Sequence, residues 1–251
     1  MKRTLSVLIL LAVSGITRLE GQCPADVQKQ LAASIFDDAR ARMQSRLAAD
    51  PDDDAALDCM GRVLLAQRKY ADAVELLEKA IRLNENSAEH HEGLGKALMN
   101  QAINASVLRR PFLIRRMKTE FETAVNLDPS LVDARRGLVT FYAMAPRAMG
   151  GNKTRAREHA EAIMKLNPMR GHAAFGIIAE QNHDITGAEK EFLSAIALHP
   201  DSLGGYLVTA AFYGRQKRFA EAVLMYQKAL SIDPANDDAN KALASLNKER
   251  K

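Results

Sequence analysis

The stretch LGGYLVTAAFYGRQKRFAEAVLMYQKALSIDPAN, residues 203–236, decides the fold of this 251-residue chain. Its apolar residues fall at helical spacing in two blocks, which Gly214 divides and Pro234 closes. Ala222 and Ala229 leave room for a facing helix, and proline cannot continue the helical hydrogen-bond ladder. The stretch therefore predicts a helix hairpin.

The 34 residues before this stretch repeat its pattern. Four like-for-like pairs lie 34 residues apart: Ala188 and Ala222, Phe192 and Tyr226, Ala195 and Ala229, and Pro200 and Pro234. One hairpin cannot bury its own apolar face, so a fixed period of this length predicts an array of stacked hairpins. The composition, 47% hydrophobic and 5% aromatic with no Trp, agrees with an alanine-rich helical array.

The repeated unit resembles the tetratricopeptide repeat (TPR), in which a small residue follows a leucine in the first helix and Ala, an aromatic residue, Ala and Pro follow in the second. Five stretches match this pattern: 54–87, 88–131 with an insertion, 132–168, 169–202 and 203–236. The resemblance implies an all-α fold, a right-handed solenoid of about five hairpins. We expect an N-terminal helix or degenerate repeat at 23–53, and a capping helix with a tail at 237–251.

The N-terminus indicates export. Lys2 and Arg3 precede an uncharged run from Leu5 to Ile16, which is shorter than the roughly 20 apolar residues that cross a bilayer. Residues 1–22 therefore read as a signal peptide with an uncertain cleavage site. We expect a periplasmic or secreted protein, with retention as a membrane anchor as the alternative.

Charge and motifs exclude several functions. Residues 1–22 carry a net charge of +2, from Lys2, Arg3, Arg18 and Glu20, so the remaining chain is near +2 of the total +4 and gives little support for nucleic-acid binding. No HExxH, GxSxG, paired CxxC or dinucleotide-binding fingerprint occurs. The adjacent His90 and His91 would diverge by about 100° on a helix and share a metal poorly. We expect no enzyme activity, cofactor or metal.

The resemblance implies that the first helix of each repeat lines a concave groove. Its N-terminal half would be charged and its C-terminal half largely apolar. The candidate groove residues are Arg62, Lys96, Arg136, Thr140, Ile177 and Leu207. Arg62 and Lys96 have an acid four residues earlier, which offers a purely local role as a helix-stabilising pair. Only Arg136 lacks such an acid.

The extra residues of the 88–131 repeat introduce a basic insertion, formed by Arg109, Arg110, Arg115, Arg116 and Lys118 with no acid among them. It could present an anionic or membrane-surface contact. The alternative is a long second helix beginning at Pro111, with Phe112, Leu113 and Phe121 directed inward and the cations solvated.

Cys23 and Cys59 leave two alternatives. If Ser34 caps a new helix, the preceding segment folds back and the two cysteines can bond. If one helix runs from Asp26 to Ala49, they lie roughly 30 Å apart, far beyond disulfide reach.

These patterns favour an exported scaffold that holds a peptide or a partner helix in its groove. Two alternatives remain: a small-molecule or lipid-binding accessory protein of an envelope transport system, and an enzyme with an unrecognised site.

Overall fold

The structure, a computed structural model, describes Cys23, Val27 and residues 36–249, with side chains up to residue 246. Within these residues all the regular elements are helical. The helices are α1 (Phe36–Ala49), α2 (Asp54–Ala66), α3 (Tyr70–Leu83), α4 (Ala88–Ile103), α5 (Arg110–Leu127), α6 (Val132–Met144), α7 (Lys153–Leu166), α8 (Pro168–Gln181), α9 (Ile185–Leu198), α10 (Leu203–Arg215), α11 (Phe219–Ile232) and α12 (Asp237–Glu249). One 3-10 turn, Arg147–Met149, lies between α6 and α7.

From α2 onward the helices pair into consecutive hairpins: α2 with α3, α4 with α5, α6 with α7, α8 with α9, and α10 with α11. Helix α1 packs on α2, and α12 packs on α11. We call the two members of each pair its first and second helix. For the described residues, the prediction of an all-α array of stacked hairpins is confirmed.

Glycines on the first helices allow these helices to pack closely against bulky side chains on the second helices. Phe121 of α5 is fully buried. A Cβ atom at Gly95 of α4 would lie 2.6 Å from the Phe121 ring, and one at Gly137 of α6 would lie 2.3 Å from it. Neither distance admits a side chain, so both neighbouring first helices close against one phenylalanine.

Three of the five turns within hairpins are short and alike: 67–69, 182–184 and 216–218. The middle residue of each is left-handed, with φ of 62° at Arg68, 62° at His183 and 58° at Lys217. The next residue donates its N–H five positions back, as Lys69 does to the Leu64 carbonyl at 2.8 Å. This is the helix-ending geometry that glycine usually adopts. The other two turns, 104–109 and 145–152, are longer.

The first helices define the inner side of a curved array. Those of consecutive hairpins contact one another, whereas the second helices of consecutive hairpins make at most marginal contact. We call the solvent-facing sides of α2, α4, α6, α8 and α10 the inner face. Arg68 of the first hairpin is ion-paired with Asp238 of α12, so the curvature brings the two ends of the array together.

The core is continuous over most of the array. One apolar cluster runs from Cys23 to Ile178, and a second, smaller one surrounds Phe192 and Phe212. Cys23 and Cys59 form a disulfide with their Cα atoms 4.9 Å apart. Of the two sequence-based alternatives, the structure contains the bonded one. The turn expected at Ser34 lies outside the described residues.

Candidate functional site

All six groove residues expected from the sequence lie on first helices, and all six are half-buried. These are Arg62 of α2, Lys96 of α4, Arg136 and Thr140 of α6, Ile177 of α8 and Leu207 of α10. Their surroundings differ along the array, and that difference determines which of them a partner can reach.

Arg62 is committed to intramolecular bonds. Its Nε donates to Asp58 Oδ2 at 2.6 Å, its Nη1 to Glu92 Oε2 at 3.3 Å and its Nη2 to the Glu89 carbonyl at 2.7 Å. Asp58 and Glu92 are buried. Burial of carboxylates is tolerated only with a paired cation, so Arg62 holds α2 to α4 rather than facing a partner.

His90 extends this network into the interior. It is fully buried, with Nε2 3.0 Å from Asp54 Oδ2 and Nδ1 3.5 Å from Asp58 Oδ1. Burial alone would lower the pKa of His90, but the Asp58 and Asp54 carboxylates outweigh it and raise that pKa. Burial likewise acts to raise the pKa of Asp58, yet Arg62 and His90 hold it below its ordinary value. The network favours an imidazolium between two carboxylates.

His91 turns away from His90, as adjacent helical residues must. Its Nδ1 lies 2.6 Å from Glu120 Oε2, and its Nε2 lies 3.0 Å from the Glu85 carbonyl. The bond to Glu120 raises the pKa of His91 despite partial burial. Among the described residues, no group of three His, Cys, Asp or Glu side chains could hold a metal ion.

Lys96 and Asp133 continue the ion pairs along the inner face. The Lys96 ammonium lies 3.3 Å from Glu92 of its own helix and 2.9 Å from Asp133 of α6. Asp133 also accepts from Arg170 of α8 at 2.8 Å and lies 3.6 Å from Arg136. Burial acts to raise the pKa of Asp133, but these three cations outweigh it and hold that pKa far below its usual range.

The chain of ion pairs along the inner face has more cations than carboxylates. Apart from the pair between the buried His90 and Asp54, it contains three carboxylates and four cations: Asp58, Glu92 and Asp133 against Arg62, Lys96, Arg136 and Arg170. The extra positive charge lies at the C-terminal end, where Arg136 and Arg170 share one carboxylate. Their side chains are 42% and 41% exposed, about twice the exposure of Arg62 and Lys96. This pair can receive an anionic group from outside.

The inner face becomes apolar beyond this pair. Ala173 and Ile177 of α8 and Leu207 and Ala211 of α10 are all partly exposed. Thr140 lies one turn after Arg136 on α6, and its hydroxyl donates to the Arg136 carbonyl at 3.0 Å. At the C-terminal end of the inner face, Arg215 donates two hydrogen bonds of 2.8 Å to the buried carboxylate of Glu180. The surface is a strip of apolar side chains between two charged ends.

The sequence did not reveal the roles of Arg170 and Arg215. Both pair with an acid on the preceding first helix, 37 and 35 residues away, so no local spacing signals them. The only sequence feature that marks Arg170 and Arg215 is their position near an end of a first helix. Many exposed residues have the same feature, so it does not identify these two.

The basic insertion divides into bonded and free cations. Arg116 pairs with Glu78 at 2.5 Å, Lys118 pairs with Glu122 at 2.9 Å, and Arg110 donates to the carbonyls of Ala102 and Ala105. Arg109 and Arg115 are exposed and form no ion pair within the described residues.

The expectation that Phe112 points inward is wrong. Helix α5 begins at Arg110, and Leu113 and Phe121 are buried as expected, but Phe112 is exposed. Consecutive helical residues diverge by about 100°, so Phe112 and Leu113 cannot both face the same neighbour. No helix in the described part of the chain has the length and apolarity needed to cross a membrane.

Comparison with known proteins agrees with this architecture. The family model described as "TPR repeat" matches residues 61–101, and the one described as "Tetratricopeptide repeat" matches residues 173–237. No curated protein sequence matches the chain.

Three solved structures illustrate the likeness. A thermophilic TPR protein from Thermus thermophilus has a TM-score of 0.62 and 21% identity over 77% of this chain and 98% of its own. The APC/C hetero-tetramer Cut9–Hcn1 gives 0.63 and 13% identity over 90% of this chain and 42% of that one. A tetratricopeptide repeat protein from Parabacteroides merdae gives 0.52 and 14% identity, over 88% and 95%. At these identities the likeness establishes the fold.

Proposed function

Because the chain belongs to the tetratricopeptide repeat proteins, we propose that it is a scaffold whose inner face binds a peptide segment of another protein. The segment carries one anionic group followed by apolar side chains. The observation that carries this proposal is the exposed Arg136–Arg170 pair beside the apolar strip of α8 and α10.

The charge arithmetic supports a single anionic group on the partner. Asp58, Glu92 and Asp133 neutralise three of the four cations, which leaves one positive charge to match. Arg62 and Lys96 are already bonded to buried or half-buried acids. A partner with several acids would have to break these internal ion pairs. The free energy lost by breaking them would cancel what the new ion pairs contribute.

The apolar strip provides the surface that a bound peptide can bury, and the arginine pair determines where along the inner face the peptide is positioned. Ile177 and Leu207 lie on neighbouring first helices, so a segment crossing both helices buries side chains against each. Apolar burial contributes about 25 cal/mol per Å² before the cost of ordering the peptide. A charged anchor at one end selects one direction of binding.

A random 12-residue peptide library displayed on phage tests the proposal. We expect selection on the wild-type protein to enrich peptides with one carboxylate next to apolar residues. The same selection on an Arg136→Glu, Leu207→Asp double variant should lose them. Recovery of the same peptides from both proteins would show that they bind elsewhere.

The outer surface provides the matched control. Leu224 of α11 and Arg82 at the end of α3 are both exposed, so each is at least as accessible as the half-buried inner-face residue it matches. A Leu224→Asp, Arg82→Glu double variant should retain every selected peptide.

We further propose that this scaffold operates outside the cytoplasm, as a periplasmic or secreted protein. The Cys23–Cys59 bond supports an oxidising compartment, because structural disulfides are rare in reducing ones. Fractionation of the source cells tests this. Recovery of the protein in the cytoplasm with two free thiols would contradict it.

A further inference from the structure

The two edges of the array carry opposite charge. One edge holds the turns within hairpins: 67–69, 104–109, 145–152, 182–184 and 216–218. These turns contain six Lys or Arg residues and one acid, Asp184; the six are Arg68, Lys69, Arg109, Arg147, Lys217 and Arg218. Arg68 and Arg218 are ion-paired within the protein, so the other four supply the charge available to a partner. We call this side the basic edge. The turns on the opposite edge are 50–53, 84–87, 128–131, 167, 199–202 and 233–236, and they contain seven acids and no Lys or Arg.

Helix dipoles do not account for this difference. Each hairpin places one helix end and one helix start at both edges, so local dipoles favour the same charges on either side. Acidic residues on the opposite edge include helix caps such as Asp53, whose side chain accepts from the Ala56 N–H.

The basic edge goes against these local preferences. Lys69, Arg109 and Arg218 occupy the cap positions of α3, α5 and α11, and none of them makes a side-chain cap bond. Arg218 is compensated by ion pairs with Glu189 and Glu221, so the departure rests on Lys69 and Arg109. A cation at a helix start opposes the macrodipole. Departures of this kind from local stability are typical of residues retained for a function.

An apolar tip projects from the middle of the basic edge. Leu108 is 94% exposed, and Ile103, Val107 and Phe112 are each at least 67% exposed. The bonds of Arg110 to the Ala102 and Ala105 carbonyls pin the turn that carries them. No acid occurs between residues 103 and 119, so the tip has only cations beside it in sequence.

Two open cavities on the same edge each contain several cations in a lining of mixed polarity. One, of about 530 Å³, lies between the first turn and the tip and includes Arg68, Lys69, Arg109, Asn104 and Ser106, with Asp72 as its acid. The other, of about 730 Å³, includes Lys118, Arg147, Lys153 and Arg155, of which Lys118 and Arg155 are ion-paired with Glu122. Cavities of this charge suit phosphate groups.

We propose that the basic edge docks on an anionic lipid membrane, with the apolar tip inserted among the headgroups and the acidic edge turned away. A protruding tip has no walls to hold a peptide, but a fluid interface can close around it. Arginines beside inserted apolar residues hold their charged ends at headgroup level. Each cation near an anionic membrane contributes attraction that falls off within a Debye length.

Flotation with lipid vesicles tests this directly. The full chain is mixed with phosphatidylcholine vesicles that contain about 30% phosphatidylglycerol or none. We expect binding to the anionic vesicles to be at least about tenfold stronger than to the neutral ones, and to fall as salt rises. Equal binding to both would overturn the proposal.

Matched variants separate the tip from the charges. Val107→Ser, Leu108→Ser, Phe112→Ser in one protein, and Arg109→Glu, Arg147→Glu in another, should each weaken binding about tenfold or more. Leu198→Ser removes an exposed leucine from the acidic edge, and Arg82→Glu, Lys165→Glu reverses two exposed cations there. These two controls should bind as the wild type does.

Other outcomes identify another occupant or none. All variants share residues 1–22, so equal flotation of the tip variant and the wild type would show that the tip is not the contact, and would overturn the proposal. Sedimentation velocity without lipid detects a second copy: self-association lost with the tip would assign the tip to a dimer interface instead. Peptide selection on the inner face is independent of both measurements. Peptide binding can therefore fail its test while lipid binding passes, and lipid binding can fail while peptide binding passes.

Discussion

The N-terminal and C-terminal halves of the inner face share one hairpin plan but are held together by different interactions. From α2 to the start of α8, each pair of neighbouring first helices is joined by an ion pair, and His90 and a disulfide add to them. Between α8 and α10 the described ion pairing is confined to Glu180 and Arg215 at one end, and the remaining inner surface is apolar.

This difference shows that a charged groove residue is not by itself a binding residue. Where acids and cations of neighbouring repeats meet, they neutralise one another and stabilise the stack. The proposed function assigns binding to Arg136 and Arg170, where the pairing runs out, and to the uncharged Ile177 and Leu207. The N-terminal half should therefore govern stability and the C-terminal half recognition.

The largest expected effect tests the N-terminal disulfide. Replacing both Cys23 and Cys59 by Ser removes a crosslink between positions 36 residues apart. We expect a loss of roughly 3 kcal/mol in the free energy of unfolding, concentrated in the first hairpin. Thermal melting with and without reductant measures it. An unchanged wild-type melting temperature under reductant would contradict the prediction, and the double variant should be insensitive to reductant.

The next effect tests the buried ion pairs. Arg62→Leu leaves Asp58 and Glu92 buried without their shared cation, and we expect a loss of about 3 kcal/mol. Arg136→Leu is the control, since the Arg136 side chain is 42% exposed and its replacement should cost no more than about 0.5 kcal/mol. Urea unfolding of both variants compares them. Equal losses would mean that the N-terminal pairs do not carry the stability assigned to them.

A glycine pair sharpens the comparison through packing. Gly137→Ala forces a methyl group against the Phe121 ring and should cost about 1–3 kcal/mol. Gly214→Ala in α10 meets no atom within 4 Å and should instead stabilise by about 0.5–1 kcal/mol, because alanine favours helix. Opposite shifts in urea midpoint are expected. Shifts of the same sign would show that the close approach around Phe121 is wrong.

The pH dependence should also differ between the halves. The folded pKa of His90 is raised above its unfolded value, so its contribution is fully present below about pH 6.5 and is lost as pH rises through the folded pKa. The facing groups are Asp54 and Asp58, with Arg62 bonded to Asp58 and His91 alongside. We expect His90→Gln to flatten the fall in melting temperature between pH 6 and 9.

His199→Gln is the control for this measurement, because His199 lies in an exposed turn of the C-terminal half. A wild-type melting temperature that rises with pH over this range, or an identical slope in His90→Gln, would contradict the assignment.

The fold was predictable from the sequence because small residues at a fixed period report close helix contacts. Ala222 and Ala229 are both fully buried, as their spacing implies. The local pairs of Arg62 and Lys96 with the acid four residues earlier were predictable, and the structure contains both. The bonds between neighbouring first helices were not, because they join residues 30 to 37 positions apart. Which acid meets Lys96 depends on how α4 and α6 are offset, and no single repeat contains that information.

Local ambiguity explains the remaining differences. The sequence-based prediction placed Phe112 and Leu113 in the same inward-facing group. Successive side chains on a helix point about 100° apart around its axis, so only one of the two could be buried. The sequence offered two courses for the segment between Cys23 and Cys59, and residues alone could not choose between them. The apolar tip was also missed, because exposure of Val107 and Leu108 depends on the shape of the insertion rather than on its composition.

Calorimetric titration of the best selected peptide into four variants tests the central claim most directly. Arg136→Glu and Leu207→Asp should each weaken binding by about tenfold or more, while their melting temperatures change little. Leu224→Asp and Arg82→Glu on the outer surface should leave the Kd unchanged. Undiminished affinity in both inner-face variants would contradict the assignment of recognition to the C-terminal half of the inner face.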